Sequence, residues 1–184
     1  MRNLVKMMFV LFIVCGTAAG SLAVVNMATQ DRIARQEKQQ KEDALRTILQ
    51  DADEFNELAA DSIWEAKRNG RKLGNAFLAK IQGYSGVITL MFAVDARGVI
   101  TGLQILGHTE TPGLGAKITS EAFRNQFKNK RMEQLVLKKD DPVKGQIDAI
   151  TGATISSRVV TKALHSTLDS FNREEGERTN EPER

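Results

Sequence analysis

The ten residues from Asp148 to Ser157, D-A-I-T-G-A-T-I-S-S, crowd four hydroxyls around one glycine and open directly onto an amphipathic run. Two readings compete for this stretch. In the first, a threonine caps the following helix and Gly152 permits the tight turn into it. Ser157, three residues after Thr154, is not the acidic partner of a capping box. In the second, the helix N-terminus is an anion site, because its unpaired N–H groups and partial positive charge favour negative groups. The small residues Gly152, Ala153, Ser156 and Ser157 would let a phosphate reach the backbone. The stretch permits a phosphate at Thr154 without requiring one.

Working outward, Ile155, Val159, Val160, Ala163, Leu164, Leu168 and Phe171 share one helical face, which predicts a helix over 155–171. The polar run 172–184 is expected to be a disordered tail. Upstream, V-I-T-L-M-F-A-V (Val87 to Val94) reads as a buried strand, Asp95-Ala96-Arg97-Gly98 as a turn, and Val99 to Leu106 as its hairpin partner. The continuous apolar character of both strands predicts cover on both faces. A glycine-rich loop follows, Gly107 to Lys117, and then a short helix over 119–128 carrying Phe123 and Phe127. Residues 131–137 and 143–150 are each expected to add a short strand. Hairpin pairing with helices packed on the sheet gives an α+β class.

At the N-terminal end, Met7 to Met27 holds no charge and is about long enough to span a hydrocarbon core as a helix. Arg2 and Lys6 precede it and favour an N-terminus on the cytoplasmic side. Arg32, Arg35, Lys38 and Lys41 follow on the other side, but long domains cross regardless of such charges. The apolar run continues past the small residues between Ala18 and Ala23, which favours an uncleaved anchor over a signal peptide. From Asp31 the chain is highly charged. Ala44, Leu45, Ile48, Leu49, Ala52, Phe55, Leu58 and Ala59 recur at helical spacing and predict one continuous helix. The expected division is a cytoplasmic segment 1–6, a transmembrane helix 7–27, a juxtamembrane helix 28–62, a domain 63–172 and a tail 173–184.

Composition narrows the chemistry. Lys and Arg number 26 against 23 acidic residues, a net charge of +3. The densest basic run, Lys67 to Lys72, has no interleaved aromatic residue, so it reads as a solvated turn and no nucleic-acid partner is expected. The only cysteine, Cys15, lies in the apolar segment. Disulfides and cysteine-ligated metal clusters within the chain are therefore excluded, and redox chemistry would need a bound cofactor. His108 and His165 are too few for a metal site, Trp64 reads as a packing anchor, and no hydrolytic constellation stands out.

Two segments carry a resemblance. D-x-x-T-G-A-T, Asp148 to Thr154, resembles the flavinylation motif of FMN-binding domains. E-T-P-G-L-G-A-K-I, Glu110 to Ile118, resembles a second signature of that family, and anchor, hairpin and both motifs stand in the family's order. The likeness is strongest to the RnfG-type subunits of Rnf electron-transport complexes. It implies FMN esterified through its phosphate to Thr154 by a flavin transferase that uses FAD, with Asp148 in the sequence the transferase reads. Thr151, Gly152, Ala153, Ile155, Ser156 and Ser157 would surround the attachment point. Glu110, Thr111, Gly113, Leu114, Gly115 and Lys117 would line the flavin, with Lys117 near the ring or the phosphate. Thr151 stands where many members have serine.

The resemblance further implies a carrier with no catalytic residue of its own, on the outer face of a prokaryotic inner membrane. Its partners would be the other subunits of a complex that couples ferredoxin–NAD electron transfer to ion pumping. The alternatives are an NqrC-like member of a sodium-translocating NADH–quinone reductase, a member that holds FMN without a covalent link, and a non-redox tethered module for an anionic ligand.

Overall fold

The computed structural model describes residues 2–180 and resolves into two units, one running to Gln40 and the other starting at Lys41. The first unit is helix throughout and belongs to α1 (Arg2–Ile48). By length and composition this helix is able to cross a membrane. Within its apolar stretch the Thr17 and Ser21 hydroxyls bond back to the helix, donating to the carbonyls of Ile13 and Thr17 at 2.9 and 2.8 Å.

The second unit is built on a five-stranded antiparallel meander, β1 (Glu54–Ala59), β2 (Ile63–Arg68), β3 (Arg71–Gln82), β4 (Val87–Asp95) and β5 (Ile100–His108), in that spatial order. The expected hairpin is β4–β5. Its turn is held by Asp95, whose carboxylate accepts from the backbone N–H groups of Arg97 and Val99 at 2.9 and 3.0 Å. The basic run 67–72 is the β2–β3 turn, with Asn69 and Gly70 both at positive φ as a two-residue hairpin loop requires.

The sheet is covered on both faces, as the continuous apolar strands predict. On one face Phe77, Leu90, Phe92 and Leu103 pack under Leu164 and Leu168 of α3 (Thr154–Asn180). Phe77 stacks on Phe92 at 5.1 Å and meets Phe171 edge-on at 4.9 Å. On the other face Ala76, Met91 and Ala93 pack against Ala44, Leu45 and Ile48 of α1, against Leu49 just after it, and against Trp64. A short helix α2 (Glu121–Arg124), extended by a 3-10 turn at Asn125–Phe127, buries Phe123 and Phe127 close to where the sequence places them.

Three expectations are corrected. The helix expected through residue 62 stops at Ile48, and Phe55, Leu58 and Ala59 lie on β1 instead. Helical and strand spacing coincide over this short window. Pairing decides it, because the chain turns to join β2, beginning with Asp53 N–H to the Lys67 carbonyl at 2.9 Å.

Neither 131–137 nor 143–150 forms a strand. They meet in a single parallel bridge, Leu137 to Ile147. Asp141 curls the chain between them by accepting from the N–H groups of Val143 and Lys144, both at 3.0 Å. The expected tail is helical as far as Asn180, supported by Arg173–Asp169 at 2.8 Å one turn apart. The remainder of that tail, 181–184, lies outside the described residues.

Candidate functional site

The opening stretch of sequence starts α3, and its hydroxyls have different partners. Ala153, not a threonine, precedes the helix, so the expected threonine cap is absent. Ser157 fastens the turn before the helix: its N–H and Oγ both donate to the Ala153 carbonyl at 3.0 Å, while its Oγ accepts from Ile150 N–H at 3.0 Å. Ser156, 2% exposed, donates to Glu110 at 2.7 Å. Thr154 is the first helical residue. Its hydroxyl and the N–H groups of Thr154, Ile155 and Ser156 take no partner among the described residues.

Gly152 precedes this helix start at φ +79, a conformation that costs a side chain roughly 1–2 kcal/mol. A Cβ there would also stand 3.1 Å from Leu114. The two glycine-rich segments therefore meet, although they lie far apart in sequence.

Between them is a cavity of about 520 Å³, within the range of small-molecule and cofactor sites. Its lining joins Glu110, Thr111, Leu114 and Gly115 to Gly152, Ala153, Thr154, Ile155 and Ser156. Two further residues complete it. Tyr84, from the β3–β4 turn, is 67% exposed, and Lys139, from the loop before α3, contributes the cation. The polar part of the lining comprises an N-terminal helix end, a lysine and a hydroxyl without a partner among the described residues. Leu114, Ile155 and Tyr84 form an apolar rim. A planar ring carrying a phosphate fits this donor set.

Five of the sequence-derived candidates lie outside the lining. Asp148 pairs with Lys138 at 2.7 Å. Thr151 and Gly113 are exposed, Ser157 is buried and bonded to the turn before the helix, and Lys117 is exposed. The cation at the cavity is Lys139 rather than Lys117.

Tyr84 had a sequence signal, since G-Y-S-G sets it at the tip of a glycine-bounded turn. Lys139 had none, because nothing local separates it from Lys138. Its loop is anchored by neighbouring Asp140, which Arg158 Nε contacts at 2.7 Å. The Arg158 guanidinium holds that carboxyl below the usual carboxylate range.

Comparison with known proteins gives the family. Residues 83–169 match the FMN-binding domain family, and residues 3–48 match the RnfG N-terminal region. The fold is that of an FMN-binding domain protein. The G subunit of the proton-translocating ferredoxin:NAD(+) oxidoreductase complex of Clostridium ljungdahlii is 36% identical, over 86% of each chain. The G subunit of the corresponding Na(+)-translocating complex of Acetobacterium woodii is 30% identical, over 90% of each. Among solved structures, the C subunit of the Na(+)-translocating NADH-quinone reductase of Parabacteroides distasonis superposes with a TM-score of 0.50 at 29% identity, covering 59% of both chains. The chain belongs to the RnfG family, the G subunits of ion-translocating oxidoreductase complexes.

Proposed function

We propose that this chain is an electron-carrying subunit of an Rnf-type membrane complex and that it holds FMN covalently through Thr154. The observation that carries the reading is the Thr154 hydroxyl. It has no partner among the described residues, stands on the first residue of a 27-residue helix, and lines a cavity walled by both glycine-rich segments. Attachment forms a bond from the threonine oxygen to the phosphorus of the FMN half of FAD. AMP leaves as the pyrophosphate bond breaks, and the hydroxyl proton is lost.

In the attached state the helix N-terminus and Lys139 would neutralise the phosphodiester, while Leu114, Ile155 and Tyr84 offer apolar surface to the ring. FMN supplies one- and two-electron exchange, for which the described residues offer no thiol outside the apolar helix. The partners would be the neighbouring subunits of the complex and, during maturation, a flavin transferase. The helix at the N-terminal end would anchor the chain in the cytoplasmic membrane with the FMN domain on the outer face. The match of residues 3–48 to the RnfG N-terminal region favours this assignment over an NqrC-like role in a quinone reductase.

Intact and peptide mass spectrometry tests the attachment on full-length protein co-expressed with its transferase. The expected result is one FMN mass on the Thr154 peptide, absent in Thr154→Ala. Unmodified, colourless protein in the presence of an active transferase refutes it. In that case a non-redox module for an anionic ligand becomes the better reading.

A further inference from the structure

Glu110 opens the E-T-P-G-L-G segment and contributes to the cavity wall, yet it is only 5% exposed. A carboxylate so buried persists only when donors surround it. Here they come from two other parts of the chain. One oxygen accepts from the backbone N–H groups of Tyr84 and Ser85 at 2.7 and 3.2 Å. The other accepts from the Ser156 hydroxyl at 2.7 Å. Next to it, Ser85 and Thr111 share a hydroxyl contact at 3.2 Å.

The neighbouring glycines make room for this arrangement. A Cβ on Gly83 would collide with the first oxygen, and one on Gly115 would stand 2.5 Å from the second. Three segments far apart in sequence thus meet at one side chain: the β3–β4 turn with Tyr84, the loop 109–115, and the first turn of α3 beside Thr154.

We infer that Glu110 is a positioning residue: its buried carboxylate ties the Tyr84 turn to the first turn of α3 and so sets the walls of the cavity, without itself contacting the flavin. The inference rests on the FMN reading for its consequence but not for its geometry. Glu110 belongs to the motif that resembles a flavin-lining loop, and its oxygens face protein donors.

The test uses the full-length chain with Glu110→Ala, Glu110→Gln, Ser156→Ala and the Ala/Ala double variant. The first readout is hydrogen exchange at the Tyr84 and Ser85 amides, without the transferase. Glu110→Ala should speed both by about tenfold or more, the effect of losing a hydrogen bond to a charged acceptor. Ser156→Ala touches neither amide, yet it should speed them by about threefold, because it frees the far end of the tie. The double variant should match Glu110→Ala alone. Glu110→Gln should stay near wild type, since an amide carbonyl accepts from both N–H groups and its NH₂ donates to Ser156.

The second readout is flavin fluorescence anisotropy after co-expression with the transferase. It should fall in Glu110→Ala and recover in Glu110→Gln, with the FMN mass on Thr154 retained in both. Amides indifferent to Ser156→Ala overturn the tie. So does a Glu110→Gln protein that keeps amide protection but shows the flavin signal of Glu110→Ala, because the charge would then act on the flavin directly. Absence of FMN from wild type would refute the cofactor reading instead and leave the exchange result to judge the tie.

Discussion

Two glycines of the same loop should respond very differently to alanine. At Gly115 an added Cβ would lie 2.5 Å from one Glu110 oxygen, 2.9 Å from the Glu110 Cβ and 3.2 Å from the Ser156 hydroxyl. Ordinary contact would require that carboxylate to retreat by about 1 Å, but its other oxygen is fixed by two backbone N–H groups. The bond from Ser156 must therefore lengthen or break, leaving a buried charged acceptor short of a donor. That costs about 1–3 kcal/mol, with a comparable overpacking term. Gly115 is not at positive φ, so alanine returns about 0.4–1 kcal/mol by restricting the unfolded chain. The net expectation is a loss of about 2–4 kcal/mol.

Gly113 is the opposite case. It sits at φ +77 with nothing within 4 Å of an added Cβ, so alanine pays only the backbone term of about 1–2 kcal/mol. Guanidinium unfolding in detergent, followed by the single tryptophan, Trp64, which is 8% exposed, reads both. If Gly115→Ala costs no more than Gly113→Ala, the crowding around Glu110 is not as described and the reasoning fails.

Other expectations concern the rest of the domain. Phe77→Ala removes a fully buried ring that contacts both Phe92 and Phe171, and should cost about 3–5 kcal/mol in the same titration. Asn75 is buried on β3 with its amide nitrogen unpartnered, so Asn75→Val should be neutral or stabilise by about 1 kcal/mol; a large loss would reveal a missed partner. The carboxyls of Asp140 and Asp141 are held low by the Arg158 guanidinium and by the Lys144 and Val143 N–H groups, respectively. Their folded values lie below the unfolded ones, so their stabilisation is complete above the unfolded carboxylate value of about 4 and is lost as pH falls through the folded values. Unfolding midpoints should therefore be flat near neutrality and decline at acid pH, and Asp140→Asn should remove part of that decline.

The legible and illegible parts of this chain differ in how they are stabilised. The β4–β5 hairpin could be read because its strands are apolar on both faces, and both faces are in fact covered. α3 could be read because a long apolar stripe has one period. β1 could not: E-F-N-E-L-A has too few apolar residues to separate a strand from the last turn of a helix, and only its pairing with β2 decides. Strands were expected at 131–137 and 143–150, but Leu135, Leu137 and Ile147 turn out to be separate pins in the core. The site divides the same way. Motif residues carried Thr154 and the two glycine-rich walls. Tyr84 and Lys139 come from segments that only the folded chain brings near, and Lys117, expected near the ring or the phosphate, lies outside the lining.

The four hydroxyls in D-A-I-T-G-A-T-I-S-S do not share one role, and their partners differ residue by residue. A helix that begins at a cofactor site must be capped, yet a cap normally fills the N-terminal end with a side-chain oxygen. Here the sequence separates the two demands. Ser157 secures the turn from inside the helix by bonding the Ala153 carbonyl and the Ile150 N–H. Ser156 turns its hydroxyl away to Glu110 and fastens the helix start to the opposite wall. With those roles filled from the buried side, the small residues Gly152 and Ala153 leave the outer end of the helix open. Thr151 is exposed but outside the lining, so Thr154 is the hydroxyl of the four that is both unpartnered and at the cavity. Under the proposed attachment, the bonding of the neighbouring hydroxyls would single out Thr154 as the acceptor, which composition alone could place only as permitted.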